Sequence, residues 1–312
     1  MKIYGADDIN LKELKNLKKN GINTVVTIGN FDGLHKGHLK LIEKVCKIKE
    51  KSKEKLLSAV VTFDINTKKC GNLIYEKGVL AKTLKNSDSF DIDFFVYLKF
   101  IDDVKNLTCE EFVRVYISEL LCAKYVIVGE NFFFGKNKSG NAQTLKELGE
   151  KYGFETIIIP FYKKRGEIVS STLIRNLLSN GKVSYANSLM YRPFSISGIV
   201  RKGYNIGSTI LDIPTANIKI PKEKVALKNG VYATEVIIDK KTYKGVTNIG
   251  IAPINPKKEP LCETFILDFD QNIYRRKIKI IFIKYMRDEK SFKSFLTLKK
   301  QILHDIDYRK DM

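Results

Sequence analysis

Only three histidines occur in the chain, and two of them, His35 and His38, stand three residues apart in "GNFDGLHKGH". Imidazoles at i and i+3 on a helix share one face, and each ring presents nitrogens that can hydrogen-bond an anion. Upstream, residues 24–28 read as a buried strand. Downstream, Leu39, Ile42, Val45 and Cys46 give a helix its apolar face. Gly29, Gly33 and Gly37 therefore fall in the connection, where a backbone turns tightly or lets a ligand approach closely. A parallel strand running into a helix N-terminus is where α/β folds bind phosphates. The chemistry expected is stabilisation of charge developing on a triphosphate, by two imidazoles and free backbone N–H groups. A metal held by the pair lacks a third ligand at a helpful spacing. His304, alone near the C-terminus, reads as structural or solvated.

The elements that must position this pair alternate through the first half. Strand-like runs occur at "TVVTIG", "LSAVVTF", "DFFVYLKF", "KYVIVGE" and "FETIIIPF". Helical patterns lie between several of them, at residues 39–48, "CEEFVRVYISELL" and "AQTLKELGEKYG". Such alternation predicts an α/β module with a parallel sheet covered on both faces. Residues 170–189 read as two short helices closing that module. After "YRPF" come short β-rich runs, "FSISGIV", "GVYATEVIID", "YKGVTNIG", "ETFILDF" and "IYRRKIKIIFIKYM", separated by Gly, Pro, Asn and Asp. These predict an antiparallel barrel or sandwich. A final helix is expected from about Glu289, its stripe of Phe292, Phe295, Leu296, Leu298, Ile302, Leu303 and Ile306 packing on the barrel. The boundary falls near Met190, giving modules 1–190 and 191–312.

Composition narrows the function classes. The chain has 312 residues, 44% hydrophobic and 29% charged, which suits two globular domains with real cores. No apolar stretch approaches the roughly 18 to 20 residues of a membrane span. The N-terminal residues lack a signal-peptide core, so a cytoplasmic location is expected. Five scattered cysteines, never spaced CxxC, argue against disulfides and zinc and read as reduced, mainly buried thiols. The net charge of +20 comes mostly from lysines interspersed with acids, without a zinc-finger or RNP aromatic pattern. It reads as compositional drift that favours anionic small molecules such as nucleotides, against a dedicated nucleic-acid surface. Nothing in the pattern specifies an oligomeric state.

"GNFDGLHKGH" resembles the HxGH signature of the nucleotidyltransferase superfamily, and in its longer form the prokaryotic FAD synthetases. "VIVGENFFFGKNKSGNAQTL", carrying Asn131, resembles that family's second block. "VSSTLIR", carrying Ser171, Thr172 and Arg175, resembles the later phosphate-binding block. "GYNIGSTILDIPTANI", "NGVYATEV", "VTNIGIAP", "ETFILDF" and "MRDEKSF" are similar to the riboflavin kinase module fused to these synthetases. The chain is thereby identified as a member of the bifunctional riboflavin kinase/FAD synthetase family. The resemblance implies a Rossmann-like nucleotidyltransferase domain, then an antiparallel β-barrel kinase domain with a terminal helix.

By this resemblance His35 and His38 hold ATP phosphates while FMN attacks the α-phosphorus and pyrophosphate leaves. Gly29, Asn30, Phe31 and Gly37 belong to that cradle; Ser171, Thr172 and Arg175 complete it, and Asn131 positions nucleotide or flavin. In the kinase module Glu263 is the implied base for the riboflavin 5′-hydroxyl. Thr215 and Asn217 are the implied Mg²⁺–nucleotide contacts, and Arg287 and Glu289 the flavin-side contacts. ATP is the implied co-substrate, Mg²⁺ the cofactor, and riboflavin, FMN and FAD the remaining ligands. Departures stand in both halves. "TFDINT" lacks the usual Pro-His-Pro, and Phe133 and Lys138 stand where arginines are common. Asp212 replaces a Gly, Ala252 an Arg, Phe265 a His, and Arg275 a Gly. Two alternatives therefore stay open: a monofunctional FAD synthetase with an inactive flavin-binding barrel, and a flavin-sensing or nucleic-acid-binding regulator.

Overall fold

A computed structural model describes all residues except 6–10, 65–71, 77, 100–101, 202–212 and 251–259. Asp212, Ala252 and the end of "TFDINT" lie outside the described residues. Contacts divide the chain into two compact units, residues 1–68 with 76–170, and residues 69–75 with 171–312.

The first unit holds a six-stranded parallel sheet of β1 (Lys2–Tyr4), β2 (Asn23–Gly29), β3 (Leu56–Asp64), β4 (Phe94–Lys99), β5 (Ala123–Gly129) and β6 (Glu155–Ile159). Its spatial order is β1-β4-β3-β2-β5-β6. On one face Val26, Ile28, Val61, Val96, Val126 and Val128 pack with Phe112, Val113, Ile117 and Leu145. The strands are rich in β-branched residues because both faces are covered. Helix α1 (Lys36–Lys51) buries Leu41, Ile42 and Val45 and lies against β2, β3 and β5. The chain leaves β2 toward β3 and β4 on one side, then returns to lay β5 on the other. That reversal makes a topological switch point at the C-terminal ends of β2 and β5, the ligand position of open α/β sheets. The "CEEFVRVYISELL" helix is an α-turn, Cys109–Phe112, running into a π-helix, Val113–Leu120.

The second unit is an antiparallel, nearly closed barrel of β7 (Ser195–Ile199), β8 (Ala216–Lys219), β9 (Gly230–Ile238), β10 (Lys241–Gly250), β11 (Leu261–Ile266) and β12 (Lys277–Arg287). The order is β7-β12-β9-β10-β11-β8, and a bridge between Arg201 and Asn217 draws the two ends together. Inside, Thr234, Thr247 and Thr264 form a hydroxyl chain with oxygens 2.8 and 2.9 Å apart, so each buried polar group is satisfied. Two short helices, α2 (Ser171–Ser179) and α3 (Val183–Leu189), belong to this unit. So does the segment 69–75, where Leu73 pairs with Lys224.

The last helix, α4, runs Phe295–Lys310, starting later than Glu289 because Ser294 and Thr297 cap it reciprocally. It packs on the barrel, Ile306 joining Val231, Val246 and Leu267 with Ile302 beside them. The buried stripe differs from the apolar one expected. Phe295, Leu296 and Leu303 are exposed, whereas Asp305 and Arg309 are buried. Residues 302, 305, 306 and 309 share a helix face, and the two charged ones are partnered. Arg309 donates to the Thr234 carbonyl at 3.0 Å, and Asp305 accepts from Arg287 at 2.6 Å.

Candidate active sites

The connection after β2 turns through Gly33, whose φ of +80° suits glycine, and delivers His35 as N-cap of α1. His35 Nδ1 accepts from the His38 backbone N–H at 3.3 Å. An accepting Nδ1 places the proton of the neutral ring on Nε2. The two imidazoles stack with centroids 3.6 Å apart, and Phe31 meets His38 edge-on at 5.1 Å. Gly37 makes this possible: a Cβ there would stand 3.1 Å from His35 Nδ1 and 3.5 Å from the Val169 carbonyl. Gly29 has more latitude, since its nearest neighbour, the Phe31 ring, would be at 3.5 Å. Burial, then the neighbouring His35, holds the His38 pKa well below its ordinary value. Its Nδ1 is buried without a hydrogen-bond partner among the described residues.

Other expected residues are less uniform. Phe31 is fully buried, so its edge-on contact fixes the His38 ring from within the core. Asn30 is exposed, its carbonyl accepting from the Asp32 N–H. Asn131, also exposed, follows β5, and its Oδ1 would lie 3.2 Å from a Cβ on Gly129. His35 and Asn131 thus stand beyond the C-terminal ends of neighbouring strands. Ser171 and Thr172 open α2 in the second unit, and Arg175 Nε donates to the Asn72 carbonyl at 2.7 Å.

On the barrel, Glu263 of β11 lies directly opposite Asn217 of β8 and Asn248 of β10. Its neighbours Cys262 and Thr264 are buried in the interior, so this row occupies the opposite face. That face also carries Val246 and Phe265, which pack with α4. The Asn217 Nδ2 donates to the Thr215 carbonyl and hydroxyl at 3.2 and 3.4 Å. Its Oδ1 is buried with no hydrogen-bond partner among the described residues. Burial first, and then Glu289, raises the Glu263 pKa, a shift suited to a proton acceptor. The Glu289 carboxylate occupies the space a side chain on Gly250 would fill. Arg287, expected at the flavin, makes a bidentate contact with Asp305, Nε to Oδ1 at 3.0 Å and a second nitrogen to Oδ2 at 2.6 Å. A cavity of about 120 Å³ beside Thr215 is walled by Pro214, Ile266, Phe269 and Ile273.

Asn248 escaped the sequence reading although "VTNIGIAP" was singled out; a lone strand Asn has no local signal, and only register puts it beside Glu263. The substituted Arg275 takes a φ of +64°, a left-handed conformation that costs a non-glycine residue roughly 1–2 kcal/mol. Phe133 and Lys138 are both exposed. Of the cysteines, Cys262 is buried, its thiol pushed up to about 12 mainly by burial; Cys46, Cys109 and Cys122 are free and only half-buried.

Comparison with known proteins matches both modules in the expected order. A family described as FAD synthetase matches residues 17–173, and one described as riboflavin kinase matches 190–312. The bifunctional riboflavin kinase/FMN adenylyltransferase of Buchnera aphidicola subsp. Schizaphis graminum is 36% identical over 307 residues, covering 95% of this chain and 96% of that one. Its counterpart in Escherichia coli K12 is 32% identical over 90% of each chain. A crystal structure from Streptococcus pneumoniae, named as a macrolide-efflux protein, has a TM-score of 0.82 at 27% identity and covers 93% of this chain and 95% of its own. Since a two-module relative aligns from end to end at more than a third identity, the chain belongs to the bifunctional riboflavin kinase/FMN adenylyltransferase family.

Proposed function

We propose that the chain makes FMN and then FAD: ATP phosphorylates riboflavin on the barrel, and a second ATP adenylylates FMN at the His35–His38 site with release of pyrophosphate. The observation that carries the reading is the buried Nδ1 of His38 at the sheet's switch point, which has no hydrogen-bond partner among the described residues. A polar atom left in that state is costly unless a ligand engages it. In this reading His35 presents Nε2–H to the phosphates, and Gly37 and Asn30 line the same cradle, with Asn131 toward nucleotide or flavin; Ser171, Thr172 and Arg175 open α2 of the second unit. On the barrel Glu263 accepts the riboflavin hydroxyl proton, and the apolar cavity beside Thr215 takes the adenine. Mg²⁺ suits Thr215 and Asn217: both offer neutral oxygens, and the Asn217 Oδ1 lacks a partner among the described residues. It would neutralise phosphate charge.

The functional modules are 1–190 and 191–312, and the site of action is the cytoplasm. The excess positive charge serves nucleotides more than nucleic acid. A monofunctional FAD synthetase is the second reading, favoured by the left-handed Arg275 in a loop of the barrel.

The test follows FMN and FAD separately by chromatography, with purified protein, riboflavin, ATP and Mg²⁺. His38→Ala is expected to depress FAD formation from FMN by about 10² to 10³ and leave FMN formation intact. Glu263→Gln is expected to do the reverse, by roughly 10² to 10⁴. Wild-type protein that converts FMN to FAD but forms no FMN would establish the second reading; protein forming neither would overturn both.

A further inference from the structure

Glu263 has charged or polar company on each flank. Asn217 faces it from β8 and Asn248 from β10, while the Glu289 carboxylate, beyond β12, acts on it electrostatically. Glu289 has the same sign and cannot steady an anionic carboxylate. Asn217 directs its amide hydrogens to Thr215, leaving an oxygen, which cannot donate. Across an antiparallel pair, directly opposite side chains have Cβ atoms about 4.5–5.5 Å apart. No hydrogen bond joins Asn248 to Glu263 in the structure, but a carboxamide reaches across such a gap by a change of rotamer. Among the described residues, Asn248 is thus the neutral donor that β-pairing sets directly opposite the Glu263 carboxylate with hydrogens to give.

We propose that Asn248 is a positioning residue of the kinase reaction, its side-chain amide turning onto the Glu263 carboxylate when riboflavin is bound and holding it toward the riboflavin hydroxyl. The inference rests on Glu263 being the base. In the step it serves, the hydroxyl oxygen bonds to the γ-phosphorus while its proton passes to Glu263. The bond from the γ-phosphorus to the bridging oxygen breaks, and ADP leaves with that electron pair. A base held in the wrong rotamer slows this step without weakening substrate binding, since Asn248 acts on the base and not on the substrate.

The experiment is a double-mutant cycle on the full chain, measuring riboflavin phosphorylation, riboflavin binding by flavin fluorescence, and FAD formation from supplied FMN. Asn248→Ala is expected to lower the kinase kcat by about 10- to 100-fold, with KM for riboflavin and ATP and FAD formation unchanged. Asn248→Ser, which restores a donor, should recover part of the loss. In a Glu263→Gln background, Asn248→Ala should cost nothing further, because its effect passes through the base. A further drop as large as in the wild-type background would show an independent role and overturn the proposal. So would a wild-type kcat in Asn248→Ala. Glu263→Gln at the wild-type rate would remove the base assignment and the inference with it. If Asn248→Ala loses riboflavin binding through misfolding, the same cycle is run with Asn248→Ser, and additivity there overturns the proposal equally.

Discussion

His38 is held neutral by its surroundings, and this has a consequence for stability. Burial and His35 lower its folded pKa below the ordinary 6.5. Folding therefore disfavours the protonated ring, so the linked stability is present above about pH 6.5 and is lost as pH falls from there through the folded value. The thermal midpoint of the wild-type protein should decline more steeply below pH 6.5 than that of His38→Gln; parallel curves would contradict the assignment. His35 has two separable roles, because one nitrogen caps α1 while the ring stacks on His38. His35→Asn keeps a strong N-cap acceptor but removes the ring, whereas His35→Ala removes both. Both should lose FAD synthesis, and only Ala should also lose about 0.5–2 kcal/mol of stability. An Asn variant with full FAD synthesis would reduce His35 to a cap. The pair was legible in the sequence because strand, glycines and spacing coincide within fifteen residues. The capping nitrogen was not, since it depends on the ring's rotamer, and neither was Asn248, whose partner is distant in sequence.

At the scale of elements, α4 shows how a buried charge displaces an apolar stripe. Asp305 is 3% exposed and accepts from both Arg287 and Gln301, the latter at 3.0 Å. Removing one partner of a buried ion pair strands the other and costs roughly 3–5 kcal/mol. Asp305→Ala should therefore lower the denaturation midpoint of the barrel strongly. The double change Asp305→Leu with Arg287→Met should recover most of the loss, since an apolar pair of similar volume leaves no orphaned charge. Equal damage from single and double variants would mean that the ion pair itself is required. Sequence periodicity found the helix and its contact with the barrel, through Ile302 and Ile306. It could not rank Phe295 and Leu296 against Asp305, because which face is covered depends on Arg287 and Thr234, contributed by separate strands of the barrel. The later helix start has a similar origin. Thr297 completes the cap where Glu or Gln is the usual signature, so the acidic Glu289 looked like the better beginning.

For the whole molecule, fold class follows from strands alternating with helices and then strands alone, but the path of the chain does not. Residues 69–75 are flanked on both sides by first-unit sequence, yet they belong to the barrel unit. There the Asn72 and Leu73 N–H groups donate to the Glu223 carbonyl, and the Tyr75 hydroxyl donates to the Arg192 carbonyl at 2.9 Å. Helix α3 is tied to β12 in the same way, Ser184 to the Ile283 carbonyl at 2.8 Å and Asn187 to the Phe282 carbonyl at 2.7 Å. No local pattern marks such bonds, because each joins segments far apart in sequence, at least 95 residues. They make the two halves unequal when the chain is cut near Met190. Fragment 1–190 retains β2, α1 and β5, hence the stacked histidines and the switch point of the sheet, and is expected to fold and convert FMN to FAD. Fragment 191–312 loses α2, α3 and the 69–75 segment. The carbonyls of Phe282 and Ile283 then lose their side-chain donors. Each such bond is worth about 0.5–1.5 kcal/mol, so the fragment should unfold at a clearly lower denaturant concentration than 171–312, which restores the two helices. Equal midpoints for 191–312 and 171–312 would show that the helices add nothing to the barrel. An N-terminal fragment that folds but binds no ATP would show that adenylylation needs the residues beyond the cut.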